Sequence, residues 1–190
     1  DNVINNPNIK INNINIIGEK EKNKILYDFN KTKMTYPVDK TISQLIEEQV
    51  QKTPNNEAIV FEDKSITYDE LNKKSNQLAN YLRKLKIKRN DIIGIMLPRS
   101  IELLPAIIGV LKSGACYIPI DPTYPEKRIK YMLENSNAKL LLTTNKLFND
   151  LDFANKVCVD FTNDEIYSLN DENLKNINMP EDMSYVIYTS

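Results

Sequence analysis

The last six residues, Tyr185-Val-Ile-Tyr-Thr-Ser190, are the ones whose types and order suggest a site. An apolar run ending in two hydroxyls delivers Thr189 and Ser190 to the carboxyl end of a strand, where open α/β sheets bind ligands. Many core strands end this way, so the two hydroxyls alone identify no reaction. Other chemical signatures fail when tested. Neither GxGxxG nor a Walker pattern occurs. Gly109 and Gly114 have the glycine spacing of a phosphate loop, but Ala115-Cys116 stand where Lys and Ser/Thr are needed. They also close a helix rather than open one, and it is the amino end that offers N–H groups to an anion. The chain has no histidine, which excludes Ser-His and Cys-His nucleophile pairs and zinc sites that use histidine. Cys116 and Cys158 each sit in an apolar, strand-like run and form no CxxC, so they read as reduced structural thiols and no metal site is expected.

Charge excludes further classes. With 25 basic and 26 acidic residues, the formal net charge of −1 makes no electrostatic case for nucleic acid or an anionic membrane. The densest basic group, Arg83 to Arg89, is broken by Leu85 and Ile87 and reads as a solvated helix end and turn. No apolar run approaches the ~18–20 residues that cross a bilayer, and the polar amino terminus has no apolar signal core. A cytoplasmic location is expected. Asn, Ile and Lys dominate the composition; all three have A/T-rich codons, so the bias reads as genome composition rather than functional low complexity.

The elements that must carry the terminal strand follow from periodicity. Residues 1–36 are poor in apolar material: Ile9, Ile11, Ile14 and Ile16 suit short extended pieces. Glu19 to Asn30 has a helical pattern with Ile25, Leu26 and Phe29 on one side, expected to pack on the domain that follows. From Thr41 the pattern tightens. Thr41-x-x-Gln44 and Thr67-x-x-Glu70 are capping boxes for two helices, the second presenting Leu71, Leu78, Leu82 and Leu85 on one face. Between them, 58–62 and 65–68 are strand candidates joined by a turn at Asp63-Lys64. Ile92 to Leu97 suits a strand buried on both faces. Ser100 is placed to cap a helix to Ser113 in which Pro105 forces a kink or a delayed start. Gly114 supplies a left-handed helix stop, 115–120 a short strand, Asp121-Pro122 a turn, and Pro125 the first residue of a helix to Asn135. A strand at 139–143, a short helix near 146–153 and strands at 156–161 and 185–189 complete the pattern. Alternating strands and helices predict an α/β fold with a mainly parallel, doubly wound sheet covered by helices.

These segments resemble a known family. Ile66-Thr-Tyr-Asp-Glu-Leu71 resembles the first core motif of adenylate-forming enzymes, specifically the amino-acid-adenylating domains of nonribosomal peptide synthetases. Leu111-Lys-Ser-Gly-Ala-Cys-Tyr-Ile-Pro-Ile-Asp121 resembles the second, and Ser184 to Ser190 the opening of the third. Tyr124-Pro-Glu-Lys-Arg128 and Ala138-Lys-Leu-Leu-Leu-Thr143 are also similar to family sequences. Residues 9–36, with Lys24-Ile-Leu-Tyr-Asp-Phe-Asn30, look like the linker that follows a condensation domain. Pro105 departs from the family, interrupting a helix usually made of good helix formers.

The resemblance implies a linker over 1–36 and, over 37–190, the amino-terminal portion of an adenylation domain that stops inside its phosphate-loop motif. The whole enzyme would use ATP and Mg²⁺ to convert an amino acid to its aminoacyl adenylate, then load it onto the phosphopantetheine of a downstream carrier domain. An upstream condensation domain would share the polypeptide. Thr189 and Ser190 would be the phosphate-end contacts; no catalytic residue is implied within 1–190, which alone is expected to be inactive and to self-associate through uncovered apolar surface. Two alternatives stand beside this reading: an acyl-CoA or aryl-acid adenylating ligase, and a non-catalytic α/β interaction module.

Overall fold

The computed structural model describes residue 4 and residues 6–14, 16–149 and 151–189 of the chain. It divides into two compact units, Asp1–Pro37 and Val38–Ser190.

In the first unit, helix α1 (Glu19–Asn23) runs on into a π-helical turn, Lys24–Asp28. The Asn30 amide closes its end by donating to the carbonyls of Ile25 (3.1 Å) and Leu26 (2.9 Å). Ile11–Asn13 is a single 3-10 turn rather than extended chain. The paired asparagines favour it, since a short polar run has no strand partner here and closes locally, with Asn13 N–H donating to the Lys10 carbonyl at 2.8 Å. Ile14, Ile16, Ile17, Ile25 and Leu26 line a groove of about 310 Å³ within this unit.

The second unit opens with helix α2 (Ile42–Lys52) and an antiparallel hairpin, β1 (Glu57–Phe61) and β2 (Lys64–Thr67). The hairpin turns at Glu62-Asp63, one residue earlier than expected, with Glu62 in the left-handed region. Both capping boxes form. Gln44 N–H donates to Thr41 Oγ1 and Thr41 N–H donates back to Gln44 Oε1 at 2.9 Å. Thr67 and Glu70 repeat this at the start of α3 (Tyr68–Lys84), with the return bond at 2.8 Å. An N-cap of this kind contributes about 1 kcal/mol.

Four parallel strands follow: β3 (Ile92–Ile95), β4 (Cys116–Pro119), β5 (Leu140–Thr143) and β6 (Lys156–Cys158), in the order β4-β3-β5-β6. Helices α4 (Leu103–Ser113) and α5 (Glu126–Asn135) make the crossovers on either side of β4, and a short α6 (Asp164–Tyr167) follows β6. Ile93, Ile95, Leu140, Leu142 and Val157 face α3 and α4 through Leu78, Leu82, Ala106 and Val110. Ile118 and Leu141 face the other way, onto Ile129, Met132 and Leu133 of α5. Both faces of the sheet are therefore buried by helices, which is why its strands carry unbroken apolar runs. The expected doubly wound α/β fold is observed.

Gly114 ends α4 at φ 105°, a left-handed turn that lets the chain re-enter the sheet one residue later. Four local expectations are corrected. Ser100 does not cap α4: its hydroxyl is buried without a partner, and the helix starts at Leu103 with Glu102 as N-cap. That delay puts Pro105 in the first helical turn, where a missing N–H breaks no intrahelical bond. Pro125 is the N-cap of α5 at ψ 140°, not its first residue, because its carbonyl must accept from Arg128 and Ile129. Residues 145–149 form turns instead of a helix, held by Asn145 N–H donating to the Asp160 carboxylate at 2.7 Å; Asp150 lies outside the described residues. Finally, 185–189 is not a fully buried strand. One parallel bridge, Tyr117↔Tyr185, joins it to the β4 edge, and Tyr185 and Ile187 are exposed.

Candidate functional site

The two turns that leave β3 and β4 at their carboxyl ends lie side by side and enclose a cavity of about 510 Å³. The β3 turn contributes Leu97, Pro98 and Arg99; the β4 turn contributes Asp121 and Tyr124. Ile187 and Tyr188 form a third wall. This is the place where parallel sheets of this type bind ligands, since side chains and N–H groups converge there. The terminal segment borders this cavity through Ile187 and Tyr188, not through its hydroxyl end.

Each polar group is fixed by a local cause. Asp121 accepts from the Thr123 N–H (2.8 Å) and hydroxyl (2.7 Å), forming an Asx turn directly after β4. The Thr123 hydroxyl, and then its N–H, hold the Asp121 carboxyl below the usual carboxylate range. The Arg128 guanidinium lies 4.4 Å from the centre of the Tyr124 ring and steadies it. Tyr188 donates its hydroxyl to Asn135 Oδ1 at 2.5 Å and meets the Tyr131 ring edge-on. Burial pushes the phenols of Tyr117 and Tyr188 up. The carboxyl stays ionised and the phenols stay neutral near pH 7, so these groups shape and orient; they do not shuttle protons. Arg99 is exposed at the mouth and has no ion-pair partner among the described residues, leaving its guanidinium available to an anion.

Of the two hydroxyls singled out in the sequence, Thr189 follows the Tyr188 wall and is exposed. Ser190 lies outside the described residues. Cys116 is buried, and Cys158 donates to Asp160 Oδ2 at 2.8 Å. Burial first, then that carboxylate, push the Cys158 thiol up to about 11, so neither cysteine is a nucleophile at neutral pH. Among the described residues no three His, Cys, Asp or Glu side chains come together as metal ligands. No helix there is long and apolar enough to cross a membrane.

Several organising residues escaped the sequence reading. Lys112 is 4% exposed, its ammonium surrounded by Glu47, Asn72, Asn76 and Asn173. Asn76, Gln77 and Asn80 of α3 donate to the carbonyls of Asp171, Tyr167 and Asn170. Arg83, read as solvated, donates to the carbonyls of Lys112 (2.8 Å) and Lys175 (2.9 Å). This face of α3 thus clamps the end of α6 and the irregular segment 168–175 that precedes Tyr185. The signal was present: amides recur at helical spacing where lysine would serve for mere solubility.

Comparison with known proteins matches this architecture. Residues 46–190 match the AMP-binding enzyme family. Gramicidin S synthase 2 of Brevibacillus brevis is 44% identical over 188 residues, 99% of this chain and 4% of that protein. Bacitracin synthase 1 of Bacillus licheniformis is 45% identical over 180 residues, 95% of this chain and 3% of its own length. The chain therefore spans only 3–4% of the length of these curated relatives. The crystal structure of the nonribosomal peptide synthetase FmoA3 superposes on 86% of this chain with a TM-score of 0.79 at 29% identity, using 17% of the FmoA3 chain. By that match the chain belongs to the AMP-binding enzyme family, in the nonribosomal peptide synthetase branch its motifs resemble.

Proposed function

We propose that this chain is the amino-terminal part of an amino-acid-adenylating domain, with residues 1–36 as the linker from an upstream condensation domain and 37–190 as the start of the domain proper. The observation that carries this is the placement of 185–189 beside β4, walling a cavity at the carboxyl ends of β3 and β4 in a chain of the AMP-binding family. The parent reaction is attack of an amino-acid carboxylate oxygen on the α-phosphorus of ATP, with cleavage of the α–β anhydride and release of pyrophosphate. A phosphopantetheine thiol of a downstream carrier domain then attacks the acyl carbonyl and expels AMP. Such an enzyme belongs where its ATP is, in the cytoplasm.

The residues present suit the flank of a nucleotide site. Thr189 and Ser190 would donate hydroxyls at the phosphate end, and Arg99 would add a positive charge at the cavity mouth. Mg²⁺ would enter with the nucleotide; among the described residues no three Cys, Asp or Glu side chains come together to hold it.

The test is exchange of labelled pyrophosphate into ATP by the polypeptide that carries this chain, assayed with each of the twenty amino acids. Exchange dependent on one amino acid, or a few similar ones, supports the reading. Exchange driven only by a fatty or aryl acid would favour the acyl or aryl ligase alternative. A polypeptide that exchanges with no acid at all would favour an interaction module.

A further inference from the structure

The segment that brings 185–189 to the sheet has no regular structure from Leu169 to Ser184, so something other than a ladder must set where it enters. Two side chains do this at the amino end of the strands. Arg89, just before β3, donates from Nε to Asp182 Oδ2 and from Nη2 to Oδ1, both at 2.6 Å. Asp182 also accepts from Met179 N–H at 2.8 Å and from the Asn90 amide at 3.4 Å. Two parallel N–H···O bonds fix orientation as well as distance. Two residues later comes the first sheet contact: Tyr117 N–H donates to the Ser184 carbonyl (3.1 Å), and Val186 N–H donates to the Tyr117 carbonyl (2.9 Å).

Among the described residues one bridge pairs the segment with β4, so the register has few votes. A slip of one residue would shift Thr189 by about 3.3 Å along the strand and exchange the Ile187 and Tyr188 faces. Tyr188 grips Asn135 downstream, and the Arg89–Asp182 fork grips upstream. The Arg89 side chain is 39% exposed and that of Asp182 only 8%, so the fork is partly shielded from solvent: it adds some stability and, through its two parallel bonds, fixes geometry.

We propose that Arg89 is a positioning residue for the nucleotide site: its fork to Asp182 sets the register in which 185–189 joins β4, and so where Thr189 stands. This rests on the adenylating function proposed above. It acts at the opposite end of the strands from the cavity and touches no substrate.

The experiment uses the full polypeptide and compares Arg89→Lys, Arg89→Met, Asp182→Asn and the Arg89→Met/Asp182→Asn double variant. Pyrophosphate exchange is measured with ATP and with amino acid varied separately, and thermal melting checks the fold. Arg89→Lys keeps the charge and loses the fork, which guards against a variant that merely fails to fold. Each single variant is expected to lower kcat/KM for ATP about 10-fold or more, toward the ~10²-fold that a misplacement of about 1 Å costs. The KM for the amino acid should hold, and the double variant should be no worse than the poorer single one, because both act through one contact. Unchanged ATP kinetics in an active enzyme would overturn the positioning role alone. So would additive losses, or KM values for both substrates rising together. Absence of exchange by the wild type would overturn the functional reading beneath it.

Discussion

The Lys112 ammonium lies 2.5 Å from the Glu47 carboxylate, joining α4 to α2 at a point where the lysine side chain is 2% exposed. Asn72 and Asn76 of α3 accept from the same ammonium at 2.8 and 2.7 Å, and Asn173 at 3.3 Å. One buried charge therefore ties three helices and the segment over α3 to a single centre. Burial pushes the Lys112 ammonium down, and Glu47 opposes that shift. The surrounding oxygens are what make the charge tolerable in the interior.

Removing that centre has a defined consequence. Lys112→Met keeps the length of the side chain but leaves Glu47 and two amide oxygens without their donor. Breaking a buried pair on one side costs about 3–5 kcal/mol. Denaturant unfolding should show a loss of that order. Adding Glu47→Leu should recover only part of it, because the Asn72 and Asn76 side-chain oxygens still lack the donor they had in Lys112. Full recovery in the double variant would show that the amides contribute nothing.

The Arg89–Asp182 fork also predicts an acid dependence. The Arg89 hydrogen bonds hold the Asp182 carboxyl down at about 2, below the ordinary carboxylate value of about 3.9. A carboxyl depressed in the folded state contributes stability that is complete above its unfolded value and is lost as pH falls through the folded one. Melting temperatures of the wild type and Asp182→Asn should therefore differ at pH 5, converge between about pH 4 and pH 2, and coincide below that. A constant gap across this range would mean the carboxylate is not the titrating group.

Both predictions concern long-range contacts, and range is what decided how much the sequence revealed. Thr41–Gln44, Thr67–Glu70 and the Gly114 stop are settled within four residues, and each forms as the pattern indicates. The parallel sheet was legible because strands buried on both faces must be apolar throughout. Lys112, by contrast, meets partners 36 to 65 residues away, and Arg89 meets one 93 residues away. A lysine or arginine in a helix or turn reads as solvated until its distant partner is known. The region 145–149 failed for the same reason: its turns depend on Asp160, which arrives with the following strand. At the candidate site, the pattern suggested a buried strand over 185–189, and its attachment to β4 by an isolated bridge was not legible because that depends on the Arg89 and Asn135 contacts made by distant residues.

The β4 edge gives a third prediction. Tyr185 and Ile187 are 55% and 60% exposed where a parallel strand has only begun to pair. Unpaired edge groups beside apolar side chains favour association with another chain. The isolated 190-residue chain should therefore show a mass by light scattering that rises with concentration, and Ile187→Lys should suppress the rise. A strictly monomeric chain at all concentrations would mean that this edge is protected.

The last prediction concerns activity. Residues 1–190 alone are expected to give no amino-acid-dependent exchange of pyrophosphate into ATP. The cavity beside β3 and β4 has one available guanidinium, Arg99, and an Asp121 carboxylate already committed to Thr123. Its phenols are pushed toward the neutral form, so no group there is tuned to accept a proton near pH 7. Expulsion of pyrophosphate needs several preorganised donors on the phosphates, and losing even one such donor typically costs about 10²–10³ in rate. Thr189 and the adjacent Ser190 supply hydroxyls only. Exchange should therefore appear in the longer polypeptide and be absent from the 190-residue chain assayed beside it at equal concentration. Comparable turnover by the short chain would mean that the residues described here hold a complete catalytic set.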